Sequence, residues 1–162
     1  MPIDKSVIGK PTGTSRVVIE RSPVSNFASA VKDPSPEYRD PSAAAAAGFS
    51  AIPVPPTYPF AMEYWGKFDE IQPDDPGENA MIEALSMLRG QGGLLLHGEQ
   101  EFIYHRPMVV GDVLVGKGRI SDIYEKESKG KTMTFIVTET VWSDDSSGEP
   151  VVTSRFNLIH RV

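Results

Sequence analysis

The chain has 162 residues, no cysteine, and 22 acidic against 16 basic side chains, for a net charge of −6. That length fits one domain, 1–162, able to bury a core without a disulfide or a metal. The charge excludes a nucleic-acid-binding face, the lack of cysteine excludes thiol chemistry and cysteine-ligated zinc, and no run of ~18 apolar residues offers a membrane span.

Residues 1–10 carry no apolar stretch of signal-peptide length, so a cytoplasmic protein is expected. Residues 16–20 contain the β-branched run Val17-Val18-Ile19 and read as a strand stub. Ser22 as N-cap and Pro23 at the first helical position predict a helix bearing Val24, Phe27, Ala28 and Val31 on one face. Pro34 and Pro36 end it. Asp40-Pro41 opens a short alanine helix that Gly48 stops. Ile52-Pro53-Val54-Pro55-Pro56 is too proline-rich for a helix interior or a central strand and reads as a rigid lead-in. Thr57 opens a third helix over 58–68. Its face of Tyr58, Met62, Trp65 and Phe68, filled in by Phe60, Ala61 and Tyr64, is wide enough for burial on most sides. Residues 72–79 are loop, and Ala80–Arg89 is an amphipathic helix broken by Gly90.

From Leu94 the apolar period changes from that of a helix to that of a strand. Strands are predicted at 94–105, 113–125, 132–142 and 151–161. Turns fall at 110–112, 128–130 and 144–149. In the third strand Met133, Phe135, Val137 and Val141 alternate with threonines. Such short connections predict antiparallel neighbours in a meander. Helices first and strands after make the class α+β, and a mostly buried helix calls for a curved sheet to wrap it.

Some stretches admit two readings. The segment Asp33-Pro34-Ser35-Pro36-Glu37-Tyr38 is either a solvated turn or a proline-braced loop presenting Asp33 and Tyr38 to a pocket. The start of the Thr57 helix is either a proline-bounded cap or a cradle for a carbonyl oxygen or anion. Pro55 and Pro56 carry no N–H, so donors there come from Thr57 onward. His97 and His105 fall on one face of a regular strand but ~26 Å apart, too far to share a metal. A half-solvated strand face is the better reading, and no metal site is expected. His160 reads as structural. Gly90-Gln91-Gly92-Gly93 follows a helix and lacks the Lys-Ser/Thr of a phosphate loop.

Three stretches in order carry a likeness: 27–49 (FASAVKDPSPEYRDPSAAAAAGF), 52–58 (IPVPPTY) and 97–114 (HGEQEFIYHRPMVVGDVL). Together they resemble the MaoC-like branch of the hotdog superfamily, in particular the FAS1-like or N-terminal MaoC dehydratase domains. The resemblance implies an α+β hotdog fold, with a long central helix wrapped by a curved antiparallel sheet. It implies a dimer, homo- or heteromeric, with a second hotdog subunit. It also implies reversible, cofactor-free hydration of a 2-enoyl thioester, on CoA or acyl carrier protein, to the (R)-3-hydroxyacyl product, as in fatty acid metabolism.

In the family's D-x-N-P-x-H loop the Asp and His position and deprotonate water. Here Asp33 matches the Asp, Ser35 replaces the Asn, Pro36 is kept and Tyr38 replaces the His. The lead-in and first turns of the central helix (Pro56, Thr57, Tyr58, Phe60 and Tyr64) are the implied substrate-binding positions. A phenol of pKa about 10 is a poor base beside an imidazole of about 6.5. The likeness therefore implies a degenerate subunit that widens the tunnel for a bulky acyl or steroid-like chain while a partner supplies the dyad. A self-sufficient homodimeric hydratase and a non-catalytic thioester-binding protein stay open beside it.

Overall fold

The computed structural model describes residues 4–128 and 130–162. Lys129, in the expected turn at 128–130, lies outside them. Five strands, β1 (Pro11–Val18), β2 (Leu94–Tyr104), β3 (Val113–Ser128), β4 (Lys131–Asp144) and β5 (Pro150–Arg161), form one antiparallel sheet in the order β1-β3-β4-β5-β2. The helices α1 (Arg21–Ala30), α2 (Pro41–Ala46), α3 (Tyr58–Trp65) and α4 (Ala80–Arg89) pack on one face of it.

Local chemistry accounts for most boundaries. Asp40 caps α2 by accepting from the Ser42 N–H at 2.8 Å, Pro41 takes the first helical position, and Gly48 leaves with φ +89°. Asn79 caps α4 through the Met81 N–H. For α1 the expectation needs correction: Glu20 is the N-cap, without a side-chain bond, and Ser22 lies inside the first turn.

The central helix α3 is short. It stops at Gly66, ahead of the expected 68, because the chain there turns to meet β1. The Gly66 C=O accepts from the Val18 N–H at 2.9 Å, and a Cβ on Gly66 would lie 2.4 Å from the Val18 oxygen. Tyr58 and Met62 are fully buried, but Trp65 is 45% and Tyr64 73% exposed. The helix is half-buried rather than surrounded.

The meander also needs correction. β3, β4 and β5 are successive neighbours, but β2 pairs with β5 and not with β3. The connection 105–112 carries the chain across three strand spacings, ~14 Å. It runs beneath the lead-in to α3, where the Val54 N–H donates to Met108 and the Val110 N–H to Ile52. Arg106 fastens it with two bonds to the Asp112 carboxylate and one to Asp144. The Ser146 and Ser147 donors hold the Asp144 carboxyl down, from an ordinary 3.8 to about 2. Its folded pKa lies below its unfolded one. Its contribution is therefore complete above about pH 4 and is lost as pH falls toward 2. Asp144→Asn is expected to lower the melting temperature at neutral pH and to flatten its acid-side decline, as measured by thermal unfolding across that range.

The two sheet edges differ. The outer edge of β1 is occupied: Thr14 N–H donates to Pro76, Arg16 N–H to the Gln72 side chain, and Val18 N–H to Gly66, while Gln72 Nε2 donates back to the Arg16 C=O. The outer edge of β2 has no partner among the described residues. Leu94, Leu95 and Leu96 lie along it, 62%, 40% and 43% exposed.

Under the helices lie two separate apolar cores. One gathers Val17, Tyr58, Met62, Leu114, Trp142 and Val152 beneath α1 to α3; the other gathers Ala84, Leu88, Ile120, Ile123 and Ile136 beneath α4. On the opposite face an alternating charge row crosses four strands, Arg119–Glu139–Arg155–Glu101, with contacts of 2.8 to 2.9 Å.

Candidate functional site

The Asp33 loop begins where α1 ends. Lys32 takes a left-handed conformation (φ 59°), its N–H donates to Ser29 and the Asp33 N–H to Ala28, which is a Schellman closure without the usual glycine. The Asp33 carboxylate accepts from the Ser35 N–H at 2.9 Å. Those Ser35 contacts hold its pKa below the ordinary value, so it is ionised and an acceptor at neutral pH. Arg39 donates to the Ser35 C=O, and Arg21 donates to the carbonyls of Tyr38 and Arg39. The loop is thus braced through its backbone.

Tyr38 follows in a 3-10 turn, Pro36–Tyr38. Burial first, then the charges of Asp33 and Glu37, push its phenol above the ordinary value. Tyr104, at the end of β2, donates from its hydroxyl to the Pro56 C=O at 3.0 Å, and burial followed by Tyr38 raises its pKa. Tyr104 is thus fastened to Pro56 at the start of α3, within electrostatic reach of Tyr38, whose phenol in turn feels the charge of Asp33. Sequence reasoning missed Tyr104. The helix start is poor in donors, because the Tyr58 N–H is taken by Pro55 and Pro59 has none.

The other expected binding residues separate. Pro56 and Thr57 are exposed at the start of α3. Tyr58 points into the core against Phe27 and Trp65, with its hydroxyl unpartnered and its pKa pushed up to about 12 by burial, then by Glu20. Phe60 and Tyr64 line a groove of about 720 Å³ further along α3.

That groove lies beside α3, between the two apolar cores. Its floor is a belt across the sheet: Gly116 and Gly118 from β3, Thr138 and Thr140 from β4, Ser154 from β5 and Gln100 from β2. Over it stand Phe60, Glu63 and Lys67 on one side and Met81 and Ile82 on the other. The glycines leave the room: a Cβ on Gly116 would meet the Trp142 ring at 2.6 Å, and one on Gly118 would meet the Thr12 hydroxyl at 2.2 Å.

A bulge between His97 and Gln100 changes which residues of β2 face the groove. His97 packs tilted against Phe60 and edge-on against Phe156, on the helix side. Glu101 bonds Arg155 on the opposite side, and His105 bonds Thr153 at 2.9 Å. The expectation of both histidines on one face is thus overturned, because the extra residue shifts the alternation. Gly98, packed on Ile159, is the sequence signal for the bulge. His160 is buried with one ring nitrogen on the Gly92 C=O, a structural setting. Among the described residues no three His, Asp or Glu side chains converge to hold a metal.

An antiparallel sheet wrapped around a helix at its centre is the hotdog fold, here α+β with a short central helix. Residues 6–154 match the profile of the FAS1-like dehydratase domain region. The chain belongs to that family. It is 34% identical to a UPF0336 protein of Saccharopolyspora erythraea over 99% of this chain and 93% of the relative, and 35% identical to one of Thermobifida fusca over 88% and 83%. Among solved structures it is similar to the ChsH1–ChsH2 complex of Mycobacterium tuberculosis, with TM-score 0.74, 20% identity, and 93% of this chain and 84% of that one covered. It is also similar to the HadBC (3R-hydroxyacyl-ACP dehydratase) complex of the same organism, with TM-score 0.69, 21% identity, and coverage of 94% and 96%.

Proposed function

We propose that this chain is the acyl-chain-binding half of a two-hotdog (R)-specific 2-enoyl-thioester hydratase, or 3-hydroxyacyl dehydratase, whose partner supplies the base. The observation that carries the reading is Tyr38. It stands where the family keeps its imidazole, and its phenol is held protonated, next to a carboxylate already engaged with Ser35. Hydration joins the water oxygen to C3, passes a water proton to a base and delivers a proton to C2. A protonated phenol serves such a site as a donor and not as the base. The thioester end belongs at Asp33, Tyr38 and Tyr104, and the acyl chain belongs in the groove. Both meet β2, the former at Tyr104 and the groove at Gln100. The open β2 edge is where a second hotdog pairs, since an unpaired edge of N–H and C=O groups calls for cover. That the similar solved structures include two complexes named for paired components supports this arrangement.

The test is reconstitution. The purified chain is expected to hydrate crotonyl-CoA weakly or not at all, and turnover is expected to rise by at least about 10² when a hotdog with an intact Asp/His loop is added. Full activity of the chain alone favours the second reading, a self-sufficient homodimer. The observation behind that reading is His97, an imidazole on the groove side of the open edge strand. His97→Asn abolishes turnover in that case and leaves it unchanged in the first.

A further inference from the structure

The floor of the groove is polar where a site for a plain hydrocarbon would be apolar. Thr138 and Thr140 face it from β4, with Ser154 and Gln100 beside them and Thr12 across Gly118. The strand reverses the usual placement: Met133, Phe135, Val137 and Val141 lie on the outer face, each half-buried, while threonines take the inner one. Ile136 and Trp142 bracket the belt on the same inner face, and beyond Ile136 the buried Thr134 directs its hydroxyl to Glu125. Thr138 and Thr140 are the β4 hydroxyls that line the groove. Trp142, which forms one of its walls and is 1% exposed, has no acceptor for its indole N–H.

An alkyl chain laid over this belt would strip water from the hydroxyls and return no hydrogen bond, a loss of the kind that makes buried polar groups discriminate. A chain carrying its own oxygens would replace the water. We infer that the groove selects an acyl chain oxygenated along its length, with Thr138, Thr140 and Ser154 as the specificity-determining residues. This rests on the assignment of the groove to the acyl chain.

The test compares binding of three probes to the full chain in its assembled form by calorimetry: CoA, dodecanoyl-CoA, and dodecanoyl-CoA hydroxylated at mid-chain. The hydroxylated thioester is expected to bind about tenfold tighter than the saturated one, the effect of one well-made hydrogen bond. Thr138→Val combined with Thr140→Val should bring the two to parity. Valine keeps shape and strand preference, and Ser154→Ala gives a second, smaller change should the double variant fail to fold. Equal or tighter binding of the saturated chain by the wild type overturns the inference and leaves the acyl groove standing. A preference that survives both variants overturns the assignment to these hydroxyls. Acyl forms that bind no better than CoA overturn the acyl assignment itself, and the inference with it.

Discussion

Tyr38→His is expected to raise hydration of crotonyl-CoA by the isolated chain by about 10² or more, the lower end of what a placed general base contributes. Burial and Asp33 push the Tyr38 phenol upward, so the phenolate is scarce near neutrality. An imidazole of pKa about 6.5 is largely unprotonated there. The loop is ready to receive it. The Asp33 carboxylate is ionised, and the two prolines and Arg21 and Arg39 hold the backbone in place without using the Tyr38 side chain. Steady-state assays of the two proteins on the same substrate decide the point. Strong wild-type turnover that Tyr38→His abolishes would instead make Tyr38 a working group and would favour the self-sufficient homodimer.

Replacing Leu94, Leu95 and Leu96 together by lysine is expected to weaken subunit pairing by on the order of 10³-fold. Full burial of a leucine contributes up to about 3 kcal/mol, and with roughly half of each side chain left to cover the three add to ~4 kcal/mol. Lysine also guards strand edges against pairing. Leu94 is mostly exposed and Leu95 and Leu96 about two-fifths exposed in the single chain, so the long lysine side chains can reach water and the fold should persist with a modest drop in melting temperature. Sedimentation would show the shift to monomer at micromolar concentration. An unchanged sedimentation profile would move the interface away from β2.

Much of the fold was legible because short-range chemistry wrote it. The cap at Asp40, the amphipathic run 80–89 and the glycines behind the helices set α2 and α4 close to their observed bounds. The long alternating runs located β3, β4 and β5. What escaped was whatever a distant part of the chain decides. The length of the connection 105–112 gives its reach and not its destination, so the passage of β2 to the far edge was invisible. The end of α3 depends on the backbone of β1, fifty residues away in sequence order. The facing of β4 was misleading for a related reason. Its apolar residues mark a face, but the inner face is set by Ile136 and Trp142, and the threonines between them front an empty groove. Within the site, the loop motif pointed to Asp33 and Tyr38, whereas Tyr104 entered only through the altered alternation after Gly98.

The covered edge of β1 also sets how far assembly can go. Gln72 imitates a neighbouring strand with one side chain, giving and taking a hydrogen bond at Arg16. With Pro76 and Gly66 covering the neighbouring positions, β2 is the sheet edge left free among the described residues. Pairing β2 with β2 is self-complementary and two-fold, and it consumes the free edge of both participants at once. Under the proposed pairing, two such chains, or one chain and a relative built alike, would close the sheet at ten strands with no template left to recruit a third. In that assembly the glutamine, with Pro76 and Gly66, would act as a terminator, separating a molecule of fixed size from a ribbon that grows without limit.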